Sequence, residues 1–289
     1  MLTLYLVWGS TYLAIRFAVE TIPPFLMAAL RFLLAGLILL VWRRLAGDPM
    51  PSLRQWRAAG VVGLFLLLGG NGGVVWAEQR VPSGITALLI GCTPLWMVLL
   101  DALRRRRMPT PAVMAGVLAG LAGIALLVGP AELTGLHGSV DPLGALVITL
   151  SALSWAAGSL ISQQSALNGN MPASPLVSTA AQMLTGGAAL LLLGTFSGQW
   201  AGFNPAGFTP RSVWAALYLL VAGSLIAFSA YVWVLKKAPI TLVSTYAYVN
   251  PLVAVFLGSL LAAEPLTPRV MLASLVIVAA VALITLKRR

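Results

Sequence analysis

Apolar residues run along almost the whole chain in stretches of about 20, and short segments between them carry the charges. Continuous runs of this length favour transmembrane helices over barrel strands, which would alternate apolar and polar residues. The loops are too short for a separate soluble domain. The pattern predicts an all-α integral membrane protein with ten spans, over 2–18, 23–42, 56–77, 82–102, 112–129, 142–162, 174–195, 212–235, 240–262 and 268–286.

The composition excludes a water-soluble domain. Of 289 residues, 60% are hydrophobic and 9% are charged, whereas a soluble domain has about 25% charged residues. The mean hydropathy is +0.95. The first apolar stretch lacks the basic start and small-residue cleavage site of a signal peptide, so we interpret it as a true span.

Candidate chemistry for metals and catalysis is sparse. Cys92 is the single cysteine, and the single histidine, His137, lies in a predicted loop. This excludes an internal disulfide and a multi-cysteine metal site, so we expect neither metal nor cofactor. The predicted spans hold no combination of serine, histidine and acid, which argues against an intramembrane enzyme.

The net charge of +11 would suit a protein that binds nucleic acid, but the positions of the charges favour another explanation. Most basic residues lie in alternate loops and at the end of the chain. By the positive-inside rule, both termini then lie in the cytoplasm, and the basic residues face the lipid bilayer surface rather than nucleic acid. These residues are Arg43, Arg44, Arg54, Arg57, Arg104, Arg105, Arg106, Arg107, Lys236, Lys237, Lys287, Arg288 and Arg289.

The chain contains an internal repeat of five spans, in residues 1–130 and 141–289. A shift of 157 residues aligns several unusual positions, and a shift of 151 aligns others near the start of each unit. An odd number of spans inverts the second unit, which places a binding site near the midplane and allows two related conformations. The aligned pairs are Trp76 with Trp233, Pro94 with Pro251, Pro111 with Pro268, Pro24 with Pro175, Arg31 with Gln182, and Gly36 with Gly187.

The paired prolines Pro94 and Pro251 are predicted to kink spans four and nine, because proline removes a backbone donor. The carbonyls freed near Ile90 and Ala247 would then be ligands for a solute. The alternative is a packing kink that neighbouring helices satisfy.

Polar and aromatic residues accompany these prolines. Polar side chains inside a span usually face the bundle interior or a wet cavity, so we favour a cavity for Asn250. For Trp96 and Tyr246, ordinary helix packing is an equal alternative. The candidate solute-binding residues of this group are Thr93, Trp96, Tyr246, Tyr248 and Asn250.

Two further groups are candidates for the cavity wall. Asn71 lies among four glycines, which either expose backbone to a substrate or let another helix approach. Trp8 and Trp155 occupy related places in spans one and six and would stack on planar or apolar solutes, although Trp8 also suits an interfacial anchor. Tyr12, Ser159 and Gln163 accompany these tryptophans.

Arg31 is the one charge well inside a predicted span. It either extends towards Glu20 or Glu78, or binds a solute carboxylate in the cavity. Its counterpart Gln182 is polar but neutral and is also a candidate solute-binding residue. Because no acid lies at mid-depth, with Glu78 at an outer span end, we expect a facilitator or exchanger rather than a proton-driven pump.

These residues resemble a known family. The motifs that carry the resemblance, in their order along the chain, are Trp8-Gly9-Ser10-Thr11, Pro24 followed by Arg31, Thr93-Pro94 and Asn250-Pro251. The chain resembles the drug/metabolite transporter superfamily, with two EamA-type repeats covering nearly its whole length. The resemblance implies ten helices in two inverted five-helix repeats. It also implies a central cavity lined by spans one to four and six to nine, with spans five and ten at the periphery.

The resemblance further implies export of a small-molecule substrate across a bacterial inner membrane. Members include amino-acid exporters, among them the YddG-type exporters of aromatic amino acids, and carriers of phosphate esters. Phosphate would require several basic groups, and the cavity offers only Arg31. We therefore expect neutral or aromatic amino acids, with a multidrug or other metabolite exporter, a lipid scramblase and a channel-like pore as alternatives. Gly116, Gly120 and Gly123 would suit either a homodimer contact or internal packing.

Overall fold

The computed structural model describes residues 1–81, 86, 89–128, 141–250, 252–253 and 268–286. All regular secondary structure in this part of the chain is helical. We number the helices α1 to α10 in chain order. Helix α1 is a π-helical segment Leu4–Trp8 followed by Gly9–Ala18, and the others are α2 Pro24–Leu45, α3 Leu53–Ala77, α4 Thr93–Arg105, α5 Pro111–Val128, α6 Pro142–Leu167, α7 Pro175–Phe196, α8 Pro210–Lys237, α9 Ile240–Val243 and α10 Pro268–Leu286.

Five of these helices, α2, α3, α6, α7 and α8, are long and apolar enough to cross a membrane. Shorter apolar helices occur within α5 and α10, over Pro111–Gly123 and Met271–Ala280. Large apolar side chains also cover the outer surface, where Leu37, Leu146 and Val221 are each about half exposed. A surface of this kind suits lipid rather than water, so the structure agrees with the membrane fold predicted from the sequence.

Helix starts are encoded locally by proline and by capping side chains. Proline suits the first turn because its φ is already helical and its missing N–H has no partner there. Asp141, Ser174 and Thr209 precede three of these prolines, and their side-chain oxygens accept backbone N–H groups of the first turn. The helices that begin with proline are α2, α5, α6, α7, α8 and α10.

The helices pack in pairs. Helix α2 packs along α7, α5 along α10, α3 along α6, and α1 along α8. Glycines bring the first pair close together, because Gly36 lies against Leu184 and Gly187 lies against Leu33. These pairs set the distance between the walls of the site described below.

The α5–α10 pair lies beside the main core and is joined to it by Tyr248, whose buried ring packs with Val117 and Ile277. Two of the glycines proposed above for a dimer contact serve this packing. Gly120 faces the Tyr248 ring and Gly123 faces Ile277. Internal packing therefore explains these two glycines.

Helices α3 and α8 each contain a π-helical segment, over Leu64–Gly72 and Leu219–Phe228. A π-helical segment widens the helix and leaves backbone carbonyls free, and it often marks a functional region. In α3, the hydroxyl of Ser154 on α6 donates to the Phe65 carbonyl at 2.8 Å. The irregular backbone is thus satisfied by a neighbouring helix rather than by lipid.

The sequence predicts a kink within span four at Pro94, but in the structure the helix is interrupted just before this residue. The backbone turns at 91–92, and Pro94 lies in the first turn of α4. The Thr93 hydroxyl donates to the Ile90 carbonyl at 2.6 Å, which occupies the acceptor that proline leaves free. In the second repeat the helix is interrupted at 244–245, and Pro251 lies outside the described residues.

We expect Gly63→Ala to destabilise the protein, because a β-carbon at this position would lie 2.6 Å from the Gln182 carbonyl oxygen of α7. Overpacking of this kind costs about 1–3 kcal/mol. Gly60→Ala on the same helix is the control, since its β-carbon would lie 3.8 Å from Thr185. Thermal unfolding of both variants in detergent checks this. Equal melting midpoints for the two would contradict the packing described for α3 and α7.

Candidate functional site

A cavity of about 100 Å³ lies between α1, α2, α3, α4, α6, α8 and the segment 246–250. One water occupies about 10–15 Å³ on this scale, so the space holds several waters or a small solute fragment. Eight of the residues predicted from the sequence to bind a solute lie in its wall. They are Trp8, Tyr12, Arg31, Asn71, Thr93, Trp155, Tyr246 and Asn250.

One end of the cavity is formed by four aromatic side chains, which we call the aromatic cluster: Trp8, Trp155, Tyr231 and Tyr246. The Trp8 ring lies 5.5 Å from Trp155, 4.9 Å from Tyr231 and 5.0 Å from Tyr246, in tilted or edge-to-face geometry. Such arrangements are favourable for aromatic pairs. Trp8 therefore packs with rings of the bundle interior, as expected for a residue of the cavity wall.

A chain of hydrogen bonds holds the aromatic cluster from behind. The Trp155 indole N–H donates to the Tyr231 hydroxyl at 3.0 Å, and that hydroxyl pairs with the Ser159 hydroxyl. Ser159 in turn donates to the Trp155 carbonyl at 2.6 Å. Ser159 is fully buried and orients the cluster rather than lining the cavity.

Tyr231 and Phe228 were missed as candidates in the sequence. Phe228 lines the cavity, and Tyr231 contributes to the aromatic cluster. The repeat itself carries the signal that identifies them. A shift of 157 residues relates Asn71 to Phe228 and Val74 to Tyr231, and both Asn71 and Val74 line the cavity.

Arg31 lies in the cavity wall with 7% of its surface exposed. Its Nη2 donates to the Asn71 side-chain oxygen at 3.3 Å, and its guanidinium lies 4.2 Å from the centre of the Phe32 ring. Among the described residues neither Glu20 nor Glu78 forms an ion pair with it. Its Nε has no hydrogen-bond partner there. The cation thus keeps unused donors, which suits an anionic group of a solute.

Asn71 faces the cavity, while the glycines beside it face other helices. Gly69 lies against Ser154, Gly73 against Ser151, and Gly72 against a leucine of α7. Gly70 lies against the Trp155 ring and also lines the cavity. Close helix approach therefore explains most of the glycines, and it holds Asn71 next to Arg31.

Asn250 has 1% of its surface exposed, lines the cavity and has a side-chain oxygen without a hydrogen-bond partner in the described structure. Tyr248, two residues earlier, points instead into the α5–α10 packing. Trp96 packs against the main core with a buried indole N–H. Of these three predicted residues, only Asn250 lines the cavity.

The two predicted glutamines also lie away from the cavity. Gln163 donates from its amide to the carbonyls of Leu235 at 3.1 Å and Ala238 at 3.0 Å, and so ties the end of α6 to the end of α8. Gln182 is fully buried and donates to the Ser178 hydroxyl at 3.2 Å. Both side chains stabilise the helix arrangement around the site.

Comparison with known proteins agrees with this fold. Residues 1–129 and 142–286 match the EamA-like transporter family. The chain is 39% identical to the uncharacterized inner membrane transporter YedA of Escherichia coli K12, over 99% of this chain and 89% of that protein. It is 27% identical to protein PecM of Dickeya dadantii, over 88% of this chain and 80% of that one. A solved crystal structure with 24% identity superposes with a TM-score of 0.77 over 100% of this chain and 97% of its own, which supports the fold.

We expect Tyr231→Phe to lower stability, because it leaves the buried indole N–H of Trp155 and the Ser159 hydroxyl without their shared partner. An unsatisfied buried group costs about 1–3 kcal/mol. Tyr218→Phe is the control, since Tyr218 is 39% exposed. Melting curves in detergent check the difference. A Tyr231→Phe protein as stable as the control would show that the hydrogen-bond chain does not hold the cluster.

Proposed function

Because this chain belongs to the EamA-like transporter family of the drug/metabolite transporter superfamily, we propose that it exports a small organic solute by alternating access through the cavity. It is a multi-pass transporter of the inner membrane and not an enzyme. The solute we propose is a neutral or aromatic amino acid or a related metabolite. The cationic Arg31 facing a cavity with six aromatic side chains in its wall is the observation that carries this proposal.

The helix pairing supports two inverted five-helix repeats. Exchanging α1–α5 with α6–α10 maps the α2–α7 pair and the α5–α10 pair onto themselves. The same exchange maps the α3–α6 pair onto the α8–α1 pair. A cavity between related halves can open to either side by rocking one half against the other.

Local features repeat in the same way. A shift of 157 residues carries the π-helical segment Leu64–Gly72 onto 221–229, close to the observed Leu219–Phe228. A shift of 151 relates the contact of Gly36 with Leu184 to that of Gly187 with Leu33. The halves therefore share backbone irregularities as well as sequence.

The cavity is closed at one end by the aromatic cluster. On α6, Ser151 and Trp155 line the cavity, whereas Ser159, one turn further from the start of the helix, does not. On α8, Phe228 lines it and Tyr231 lies beyond it. With both termini in the cytoplasm, as the positive-inside rule predicts, the cluster lies on the cytoplasmic side. The conformation is then closed to the cytoplasm, with the cavity on the outer side.

The proposed binding mode follows from the charges and rings. The solute carboxylate accepts hydrogen bonds from Arg31, which Asn71 orients. The free oxygen of Asn250 accepts from the ammonium group. An apolar or planar side chain packs against the aromatic cluster. A doubly charged phosphate is less suitable, because Arg31 is the one charged residue in the described cavity wall.

Reconstitution in liposomes tests the proposed transport. We expect uptake of labelled neutral or aromatic amino acids that saturates, discriminates L from D isomers and is accelerated by unlabelled amino acid on the opposite side. Uptake that rises linearly with concentration would indicate a channel. Lipid movement between leaflets without solute uptake would indicate a scramblase, and uptake of other metabolites or drugs alone would exclude amino acids as the substrate.

Arg31→Gln should weaken binding of an amino acid by about tenfold to a hundredfold, because a hydrogen bond to a charged group contributes about 1.5–3 kcal/mol. Binding of the corresponding amide, which lacks the carboxylate, should change much less. Arg211→Gln is the control, since this arginine is exposed outside the cavity. Equal losses for acid and amide would show that Arg31 does not bind the carboxylate.

Asn250→Ala should lower the transport rate while leaving the melting midpoint close to that of the parent, because its side-chain oxygen has no structural partner in the described residues. Tyr248→Phe is a matched control two residues away, since its hydroxyl also has no partner there and its ring packs outside the cavity. Uptake assays compare the two. Equal transport rates for the two variants would show that Asn250 is not part of the solute-binding site.

A further inference from the structure

Two charged residues lie one helical turn beyond the cavity, at the end opposite the aromatic cluster. Tyr12 on α1 and Val74 on α3 line the cavity. Arg16 and Glu78 follow each of them by four residues and so lie on the same helix faces, further from the cluster. Helix α1 packs mainly on α8 rather than on α3, so α1 and α3 contribute to the wall separately.

Glu78 is partly buried, and its carboxylate lacks a full set of partners. Its Oε2 is inaccessible to solvent and accepts no hydrogen bond from any described residue. Its charge interacts with Tyr12 and Arg16, yet it forms no ion pair with Arg16 among the described residues. Arg16 itself is exposed. A buried carboxylate without a paired cation is costly and tends to bind a proton instead.

The other charged groups near Glu78 have their own partners. Arg80 lies over a tryptophan ring of its own segment, at 4.6 Å. Arg31 on α2 donates to Asn71. Asp141 at the start of α6 accepts the first backbone N–H groups of that helix. Arg31 still has a free Nε but faces the cavity, and Arg16 is the described cation whose charge acts on Glu78.

We propose that Glu78 and Arg16 form a pH-responsive gate at this mouth of the cavity. Closing the mouth brings the two side chains into an ion pair across α1 and α3, and a proton on Glu78 opposes closure. This inference rests on the proposed alternating access. It also replaces the expectation of a proton-independent facilitator, because a carboxylate oxygen at a helix end is here shielded from water.

The sign of the pH dependence follows from the two states. Burial raises the pKa of Glu78 to about 8 in the described conformation, and the charge of Arg16 opposes that rise. In the closed state the ion pair favours the carboxylate and lowers its pKa, so closure releases the proton to water. Acid therefore favours the open mouth, and raising the pH through about 8 favours closure.

The test measures access to the cavity without a solute. In a Cys92→Ala background, Thr11→Cys places a thiol in the cavity wall, and Ser197→Cys places a reference thiol on an exposed position at the same end. Each rate of labelling with a membrane-impermeant thiol reagent is divided by the thiolate fraction of that cysteine, taken from its own pH titration, because a thiol in the cavity wall has a higher pKa than an exposed one. The two corrected rates are then expressed as a ratio. We expect this ratio to fall at least about threefold from pH 6 to pH 9.

Adding Glu78→Gln or Arg16→Gln should abolish this fall and keep the ratio high, because neither variant can form the ion pair. Glu20→Gln is the control, an acid at the same end that lies 3.9 Å from Arg211. If Glu78→Gln does not fold, Arg16→Gln carries the test alone. The gate is overturned if the labelling ratio of the parent does not change with pH, or if it falls equally in Glu78→Gln and Arg16→Gln. Either result overturns the gate even when amino-acid uptake is saturable. A pH-dependent ratio without amino-acid uptake supports the gate and rejects the substrate.

Discussion

The structure depends on one constraint, that polar groups within lipid must find partners inside the protein. Helices satisfy this for the backbone, and the irregular places show how it is met elsewhere. Thr93 supplies the hydroxyl that replaces the hydrogen bond lost at Pro94, and Ser154 on α6 satisfies the π-helical backbone of α3. These departures from regular helix occur beside the cavity, where neighbouring helices rather than lipid surround the backbone.

Because buried polar atoms normally have hydrogen-bond partners, those without one are candidates for contact with a solute or a proton. Arg31 keeps a free Nε and Asn250 a free side-chain oxygen at the cavity wall, and Glu78 keeps a free carboxylate oxygen one turn beyond it. Most other polar side chains in the interior are committed to packing, as in the hydrogen-bond chain through Tyr231 and Ser159. Other unpaired atoms, such as the Tyr248 hydroxyl and the Trp96 indole N–H, lie in the packing away from the cavity. The three named groups lie along a route from the mouth of the cavity to the aromatic cluster.

The two ends of this route differ in chemistry. One is closed by tightly packed rings, which exclude water through contact area and need no charge. The other carries Glu78 and Arg16, whose interaction depends on protonation. In the proposed mechanism, one side closes by apolar packing and the other by an ion pair, so that only the second side responds to pH.

The sequence by itself determined the membrane class, predicted two repeats of five spans, and identified eight of the eighteen residues in the cavity wall, because hydropathy and repeat offsets depend on local order along the chain. Tertiary structure decided which face each residue presents. Tyr246 and Tyr248 are two residues apart, yet only Tyr246 reaches the cavity. Ser159 lies behind the aromatic cluster, and Glu78 at a helix end has a carboxylate oxygen shielded from water. Burial and partners depend on helices distant in sequence, and a single chain without its packing does not reveal them.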